Sequence, residues 1–341
     1  MRRRERFPLR VMRRHAGFAH GIYIWLLTVT VALASLTGCA SVPPVKTLAE
    51  GGTGIITLQS TTMTTRDFLS GGGVGSPAIV AGDLNLPNGA TGRVPAVVLV
   101  HGSAGLTSSV RRWQDALLRL GVATFVLDSF SGRGIVETFT DQTRLSSFAM
   151  LTDAYRALTL LATHPQIDPI RIGLMGFSKG GQVTLYASVR RFQGLVGSPG
   201  VEFAAYIAFY PPCNFRWIGD EDVSDRPIRI FHGEADDQAP FAACRDYVER
   251  LRQGGKDAEI TGYPGGHHGF DAIEAGVPRK FPGWQNYSRC FIDEANLPRD
   301  INAYLKTCRS EGVTIGYDPN AHTDASQRLA AFLSSAFSLS P

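Results

Sequence analysis

A serine at position 178 lies among closely spaced glycines, in residues 176–181 with the sequence Gly-Phe-Ser-Lys-Gly-Gly. An apolar stretch over 170–175 predicts a strand before it, and residues 180–189 predict a helix after it. A sharp turn from strand to helix leaves no space for side chains beside the serine and presents its hydroxyl near the positive end of the helix. Such a serine can act as a nucleophile. A purely structural turn is the alternative, because the chain contains 37 glycines.

A base that could accept the proton of this serine is expected in residues 263–270, with the sequence Tyr-Pro-Gly-Gly-His-His-Gly-Phe. This segment follows the last predicted strand, over 258–263, and offers two adjacent histidines, His267 and His268. An imidazole that takes the serine proton and later returns it is a common partner of such a nucleophile. We therefore expect one of the two histidines to be the base and the other to be structural.

Carboxylates follow the preceding predicted strand, over 228–231. Residues 232–240 have the sequence His-Gly-Glu-Ala-Asp-Asp-Gln-Ala-Pro and contain Glu234, Asp236 and Asp237. A carboxylate beside the imidazole orients it and stabilises its charged form. Serine, acid and base then follow one another along the chain, each after the end of a strand. One of the three carboxylates is expected to have this role, and the others to be solvated or to hold the loop.

Backbone amides that could stabilise a negative charge are expected in residues 101–105, His-Gly-Ser-Ala-Gly, which follow a predicted strand over 94–100. The amides of Ser103 and Lys179 are candidates for an oxyanion hole, in which two fixed donors stabilise the alkoxide of an acyl-transfer intermediate. His101 is expected to brace this loop rather than to act as the base. The side chain of Lys179 is expected to be exposed.

The elements that must position these residues alternate between strand-like and helix-like patterns. Continuous apolar runs are typical of strands buried on both faces, and apolar residues at helical spacing predict helices. Strands are predicted over 94–100, 122–127, 170–175, 203–209, 228–231 and 258–263, with a possible edge strand near 55–58, and helices over 110–120, 143–162, 180–189, 241–252 and 325–337. This alternation predicts an α/β fold with a mostly parallel central sheet and helices on both faces.

Residues 271–320 interrupt the alternation. A stretch of this length without a regular pattern is usually functional or disordered in a compact domain. Its aromatic residues Phe281, Trp284, Tyr287 and Phe291 disfavour disorder. We therefore expect a cap or rim that shapes one wall of a pocket.

Arg133 and Asp128 lie just past the end of a predicted strand, where ligands collect in open α/β sheets. The paired N–H groups of Arg133 could bind a substrate carboxylate. A salt bridge from Arg133 to Asp128 or to another loop carboxylate is an equally reasonable expectation.

The net charge of +4 originates at the N-terminus. Residues 1–38 contain seven arginines and one glutamate, whereas the rest of the chain contains 27 basic and 29 acidic side chains. A nearly neutral remainder without a basic stripe excludes nucleic acid as an expected partner. The hydrophobic fraction of 44% and the charged fraction of 19% are typical of a folded protein.

The N-terminus has the pattern of a secretory signal peptide, with an arginine-rich start and a short apolar run over 22–36. The string Leu-Thr-Gly-Cys over 36–39 resembles the lipobox of bacterial lipoproteins, which implies that Cys39 is lipidated and begins the mature protein. A plain N-terminal membrane anchor is the alternative, and Met12 is a possible second start. We expect a lipid-anchored protein of the cell envelope that faces the periplasm or exterior. Ala40 favours the outer membrane if there are two.

The four other cysteines are expected to form disulfides, because a lipid-anchored protein faces an oxidising compartment. Three pairings are possible. Cys213–Cys244 and Cys290–Cys308 are favoured, since the first pair follows successive strands and the second encloses one irregular segment. Free buried thiols are the alternative, and the spacing of the cysteines fits no zinc site.

Residues 94–270, together with the last predicted helix, resemble the dienelactone hydrolase family of α/β-hydrolases. The resemblance rests on the strings HGSAG, LDSFSGRG, IDPIRIGLMGFSKGG, HGEADDQAP and YPGGHHGFD. In that family the acid stands three positions after a glycine and the base directly precedes Gly-Phe, which selects Asp236 and His268. Dienelactone hydrolases proper use a cysteine as nucleophile, where this chain has Ser178.

The resemblance implies a serine hydrolase of the α/β-hydrolase fold, over residues 76–341, that follows a tether and N-terminal edge over 39–75. Its substrate would be a small carboxylic ester or lactone, and no metal or organic cofactor is implied. A peptidase or acyl-peptide hydrolase is one alternative, because the same triad cleaves amides. A non-catalytic envelope binding protein on a hydrolase scaffold is another, because a fold does not fix a function.

Overall fold

The computed structural model describes residues 43–71 and 75–339. The predicted signal peptide over 1–38, the alternative start at Met12 and the predicted lipidation site Cys39 lie outside the described residues. Within the described ranges, no helix has both the length and the apolar character that a membrane crossing requires.

Twelve strands and eight α-helices form the described part of the chain. The strands are β1 (Gly54–Thr62), β2 (Ser76–Asn85), β3 (Val94–Val100), β4 (Ala123–Asp128), β5 (Ile167–Phe177), β6 (Ala205–Phe209), β7 (Phe215–Arg216), β8 (Ile228–Gly233), β9 (Ala258–Tyr263), β10 (Arg279–Asn286), β11 (Ile292–Asp293) and β12 (Ser310–Ile315). The helices are α1 (Thr65–Leu69), α2 (Ser108–Arg119), α3 (Ser147–Leu161), α4 (Lys179–Ser188), α5 (Arg190–Val196), α6 (Phe241–Gln253), α7 (Ile301–Cys308) and α8 (Pro319–Ala336).

The central sheet has eight strands in the order β1-β2-β4-β3-β5-β6-β8-β9. From β4 to β9 all neighbouring strands are parallel, whereas β2 is antiparallel to both β1 and β4. Helices cover both faces, so successive residues of β3 enter opposite cores. Val98 and Val100 pack with α3 and α4, and Val97 and Leu99 pack with α2 and α8. The predicted α/β fold with a mostly parallel sheet is confirmed.

The two elements at the ends of the fold differ most clearly from the sequence-based expectation. The edge strand β1 has nine residues instead of four, because it pairs along its whole length with β2, a strand that the sequence pattern did not reveal. The last helix begins at Pro319 instead of residue 325. Asp318 caps it by accepting hydrogen bonds from the amides of Asn320 and Ala321, and proline suits the first helical position.

The segment over 271–320 is ordered around an antiparallel pair, β10 and β12. Asp237 attaches this pair to the loop after β8. Its carboxylate accepts hydrogen bonds from the amide and the hydroxyl of Thr314, at 2.9 and 2.7 Å, and its carbonyl accepts one from Asn286 Nδ2 at 2.9 Å. The insert is therefore fastened directly beside a carboxylate that the sequence singled out.

Both predicted disulfides are present. Cys213–Cys244 joins the segment after β6 to α6, and Cys290–Cys308 closes the connection between β10 and β12 over 18 residues. Each cross-link is expected to contribute about 2–4 kcal/mol to stability, largely by restricting the unfolded chain.

Arg133 does not reach a ligand site, which corrects the expectation that it binds a substrate carboxylate. Its guanidinium forms two hydrogen bonds with Asp153 of α3, at 2.7 and 2.8 Å. It also donates to the Thr62 hydroxyl and the Ser129 carbonyl, both at 2.7 Å. The side chains of Arg133 and Asp153 are 5% and 0% exposed, so the arginine connects β1 to α3 inside the fold. Asp128 instead accepts hydrogen bonds from the amides of its own turn.

Replacing this arginine, Arg133→Met, should lower the free energy of unfolding by about 3–5 kcal/mol, because the Asp153 carboxylate would stay buried without its partner. Urea denaturation measures the change. The double variant Arg133→Met/Asp153→Leu should recover much of the loss, because the unpaired charge is removed as well. An unchanged urea midpoint for the single variant would contradict the structural assignment.

Candidate active site

Ser178 lies at a tight turn between β5 and α4. Its backbone has φ 52° and ψ −115°, and its amide donates to the Phe209 carbonyl at 2.9 Å. A Cβ on Gly176 would lie 2.0 Å from the Gly180 carbonyl oxygen, and a Cβ on Gly180 would lie 2.1 Å from that of Val100. These distances exclude any side chain at either position. The glycines that flank the serine are thus required by the close contact of β5, α4 and β3.

The structure brings Ser178, His268 and Asp236 into one hydrogen-bonded chain. His268 Nε2 lies 2.8 Å from Ser178 Oγ, and His268 Nδ1 lies 2.7 Å from Asp236 Oδ2. His268 and Asp236 are buried, and Ser178 is partly exposed. In this arrangement the imidazole can take the serine proton at Nε2 while the carboxylate holds its Nδ1–H.

The Asp236 carboxylate is surrounded by donors. Its Oδ1 accepts hydrogen bonds from the amides of Gln238 and Ala239, both at 2.9 Å, and His232 Nε2 lies 3.4 Å from its Oδ2. Burial by itself would raise the pKa of Asp236, but His268 and His232 hold that pKa well below its usual range. The carboxylate therefore stays ionised. The sequence analysis did not single out His232, although it stands in the same string as Asp236.

The other candidate acids and bases lie elsewhere. Glu234 is exposed, and Asp237 is engaged with the insert. Among the described residues, His267 forms no hydrogen bond with Ser178 or Asp236, and its Nδ1 is buried without a partner. Geometry therefore favours Asp236 and His268 within their respective strings.

His101 braces the loop after β3. It is fully buried, with Nδ1 2.8 Å from the Gly102 carbonyl and Nε2 accepting from the Ser129 amide at 3.3 Å. Burial lowers its pKa, in agreement with a neutral ring that donates through Nδ1 and accepts through Nε2.

Tyr210 packs against His268, the candidate base. The two rings meet edge to face with their centroids 4.8 Å apart. The Tyr210 hydroxyl donates to Asp271 Oδ1 at 2.7 Å, and Trp113 Nε1 donates to Asp271 Oδ2 at 2.8 Å. Burial raises the pKa of Tyr210 far above its usual value, so the phenol remains a donor. This packing helps to fix the plane of the His268 imidazole.

The loop that carries Ser103 lies against the turn at Ser178. A Cβ on Gly102 would lie 3.2 Å from Ser178 Cβ, and both Ser103 and Lys179 line the adjoining cavity. In the part of the chain that the structure describes, no backbone acceptor pairs with the amide of Ser103 or of Lys179. Two unpaired donors thus belong to the residues that flank the serine hydroxyl.

The side chain of Lys179 is buried, which corrects the expectation that it is exposed. Its ammonium donates to the carbonyls of Gln142 and Leu145, at 3.1 and 2.5 Å, and lies 3.3 Å from Gln142 Oε1. Gln142 Nε2 in turn donates to the Ser103 hydroxyl at 2.9 Å. Gln142 therefore connects Ser103 and Lys179, the two residues whose backbone amides have no backbone acceptor in the described part of the chain. Nothing in its sequence surroundings indicated this role.

A cavity of about 640 Å³ opens beside Ser178. Its walls come from α4, from the start of α3, from residues 212–217 and from the segment after β1. The insert, which was predicted to shape one wall, contributes Tyr287, Ile292 and Leu305 among others. The candidate nucleophile thus faces a space large enough for a small organic substrate.

Comparison with known proteins places this fold and site in a family. The model of the dienelactone hydrolase family matches residues 80–337, a range that includes Ser178, Asp236 and His268. The chain belongs to the dienelactone hydrolase family.

Individual relatives within and around this family are distant. A putative carboxymethylenebutenolidase of Synechocystis is 24% identical over 198 residues, 53% of this chain and 77% of the relative. An uncharacterized Bacillus subtilis peptidase is 24% identical over 155 residues, 38% of this chain, and the match spans only 23% of that peptidase's length. A dienelactone hydrolase-like promiscuous phosphotriesterase from metagenomic libraries superposes with a TM-score of 0.55 and 16% identity. That match covers 84% of this chain and all of the other.

The buried Lys179 predicts a distinct pH dependence of stability. Burial lowers the pKa of Lys179 to about 7, and the charge of Asp141 offsets only part of this effect. Between about pH 7 and pH 10 the folded chain therefore binds fewer protons at this lysine than the unfolded chain, so stability rises with pH. Relative to Lys179→Met, the wild type should gain up to about 1.4 kcal/mol per pH unit in this window.

Urea denaturation at several pH values measures this difference. The exposed lysine of α7 provides a matched control, because Lys306→Met removes one positive charge without emptying a buried site. If the free energies of unfolding of the wild type and Lys179→Met change with pH in the same way, the buried ammonium keeps its proton over this pH range and the prediction is wrong.

Proposed function

We propose that this protein is a serine hydrolase that cleaves a carboxylic ester or lactone through an acyl-enzyme. The observation that carries the proposal is the hydrogen-bonded chain from Ser178 through His268 to Asp236, which opens on a cavity of about 640 Å³. Membership of the dienelactone hydrolase family supports it, as does the name of the Synechocystis relative.

In the first half of the reaction, Ser178 Oγ attacks the carbonyl carbon while His268 Nε2 accepts the hydroxyl proton. The carbonyl oxygen becomes an oxyanion, which the amides of Ser103 and Lys179 stabilise. The bond to the alcohol oxygen then breaks, and that oxygen takes the proton from His268. In a lactone the alcohol stays attached to the acyl group. Asp236 remains ionised and stabilises the imidazolium between these two transfers.

In the second half, water replaces the alcohol. His268 accepts one proton from water as the water oxygen adds to the acyl carbon, and a second oxyanion occupies the same two amides. Collapse of this intermediate breaks the bond to Ser178 Oγ, which recovers its proton from His268. The products are the carboxylic acid and the free enzyme.

Cleavage of peptides is the second candidate, because the same residues can act on amides and one distant relative is named a peptidase. The match covers 23% of that relative, so it gives this candidate weaker support. A non-catalytic binding role is disfavoured because the three side chains are connected at hydrogen-bonding distance.

Removing the nucleophile, Ser178→Ala, should reduce kcat on p-nitrophenyl esters by about 10⁴-fold or more, since the remaining residues cannot form the acyl-enzyme. The assay uses residues 40–341 purified under oxidising conditions, with esters of graded acyl length. Ser76→Ala is the matched control, because Ser76 lines the same cavity outside the triad. Equal, near-zero rates for wild type and Ser178→Ala would overturn the esterase assignment, and peptide substrates would then be tested.

We also propose that the chain is a lipoprotein, anchored in the cell envelope through acyl chains on Cys39. The support comes from the sequence alone, namely an arginine-rich start, a short apolar run and the string Leu-Thr-Gly-Cys over 36–39. The two disulfides agree with an oxidising compartment. An outer-membrane location in a two-membrane cell is part of the proposal.

Expression of the full chain in a bacterium fed an alkyne fatty acid tests the anchor. The wild type should incorporate the label and partition into detergent, whereas Cys39→Ser should do neither, because the acylated thiol is absent. Cys213→Ser/Cys244→Ser controls for loss of cysteines in general. Labelling that survives in Cys39→Ser would overturn the lipoprotein proposal.

A further inference from the structure

The inner part of the cavity follows one face of α4. Ser178, Gln182 and Tyr186 stand at four-residue intervals along this helix and its N-cap, and all three line the cavity. With a rise of 1.5 Å per residue, Gln182 lies about 6 Å and Tyr186 about 12 Å along the axis from the nucleophile. A substrate arm bound along this face would therefore meet one polar side chain halfway and another at its end.

Both polar side chains retain hydrogen-bonding capacity. Gln182 accepts a hydrogen bond from the Ser147 hydroxyl at 2.6 Å, whereas its amide NH₂ group has no partner within the described residues. The Trp217 indole N–H is the polar group beside the Tyr186 hydroxyl, but it does not reach hydrogen-bonding geometry with any described residue. Burial raises the pKa of Tyr186, with the Trp217 N–H opposing the rise, so the phenol stays protonated and can donate.

The lining of the cavity around Tyr186 is mainly aromatic. Aromatic rings of Phe148, Phe215 and Trp217 enclose the inner end, and Tyr186 stacks on Phe148 with their centroids 4.9 Å apart. The buried ammonium of Lys179 donates to carbonyl oxygens. The other charged residues of the lining are half-buried or exposed, and they stand at positions 66, 67, 144, 299 and 300. In such a setting an unpaired donor favours a neutral acceptor over a plain methylene, because leaving it unpaired costs free energy.

The acyl group is the part of the substrate that this face retains. Ser178 holds the acyl carbon through both halves of the reaction, while the alcohol must leave before water can enter. An arm that starts at Ser178 and follows α4 inward is thus the acyl arm, and the alcohol departs towards the exposed mouth.

We propose that Gln182 and Tyr186 form a specificity site for uncharged acyl arms that carry ether, hydroxyl or carbonyl oxygens along an extended chain. This inference rests on the proposed hydrolase function and names its substrate class: oxygenated acyl esters are preferred over alkyl esters of equal length.

Two p-nitrophenyl esters of equal chain length test the proposal, the decanoate and the methoxyethoxyethoxyacetate. Tyr186→Phe removes only the hydroxyl, and it should lower kcat/KM for the ether ester by about threefold to tenfold while leaving the decanoate within about twofold. Gln182→Leu should act in the same direction. Tyr287→Phe is the matched control, because it deletes a hydroxyl of the same cavity that already donates to Gln285 at 2.7 Å.

The outcomes separate this inference from the function on which it rests. An unchanged ether-to-alkyl ratio in both variants, or an equal loss on both esters, would overturn the specificity site while the hydrolase proposal stands. If the wild type cleaves neither ester, calorimetry with the N-methylamides of the two acids decides. Tighter binding of the ether amide that Tyr186→Phe abolishes would support the site, and equal affinities would overturn it.

Discussion

The close contact between the end of β3 and the start of α4 fixes the position of Ser178, on which the arrangement of the site depends. At Gly180 the helix passes so close to the Val100 carbonyl oxygen that a Cβ would lie 2.1 Å from it. At this tight turn Ser178 has a φ of 52°, a backbone conformation that costs a non-glycine residue about 1–3 kcal/mol. The surrounding sheet and helices hold the serine there, so its hydroxyl projects beyond the strand ends and not into the core.

The loops around Ser178 contain many internal hydrogen bonds. His101 follows β3 and Asp236 follows β8. Both side chains are buried, so each needs hydrogen-bond partners, and each finds at least one in its own turn. Asp236 and Asp237, which are adjacent in one loop, have different hydrogen-bond partners. Asp236 faces His268, while Asp237 binds Thr314 of the insert. Adjacent residues thus hold the insert and place a carboxylate beside His268.

Much of this could be predicted from the sequence because it depends on local patterns. Buried parallel strands are visible in the sequence as continuous apolar runs. The glycines beside Ser178 indicate the close contact between helix and strand. What could not be predicted depends on residues far apart in the chain. Arg133 finds Asp153 instead of Asp128, β1 lengthens because β2 pairs with it, and Lys179 is buried because residues 142–145 fold over it. These contacts depend on how distant segments pack together, and no periodic pattern in a single sequence predicts such packing.

The helix that positions the nucleophile also sets where specificity can be encoded. Because Ser178 must be the N-cap of α4, residues four and eight positions later necessarily lie on the helix face below it. Gln182 and Tyr186 therefore line the cavity from the same helix that Ser178 caps, whereas Asp236 and His268 come from the loops after β8 and β9. The insert contributes further lining residues and is held by its own disulfide and by its hydrogen bonds with Asp237. Because α4 carries Ser178 at its N-cap and Gln182 and Tyr186 on its body, one helix relates the proposed nucleophile to the proposed specificity site, while the proposed acid and base come from other segments.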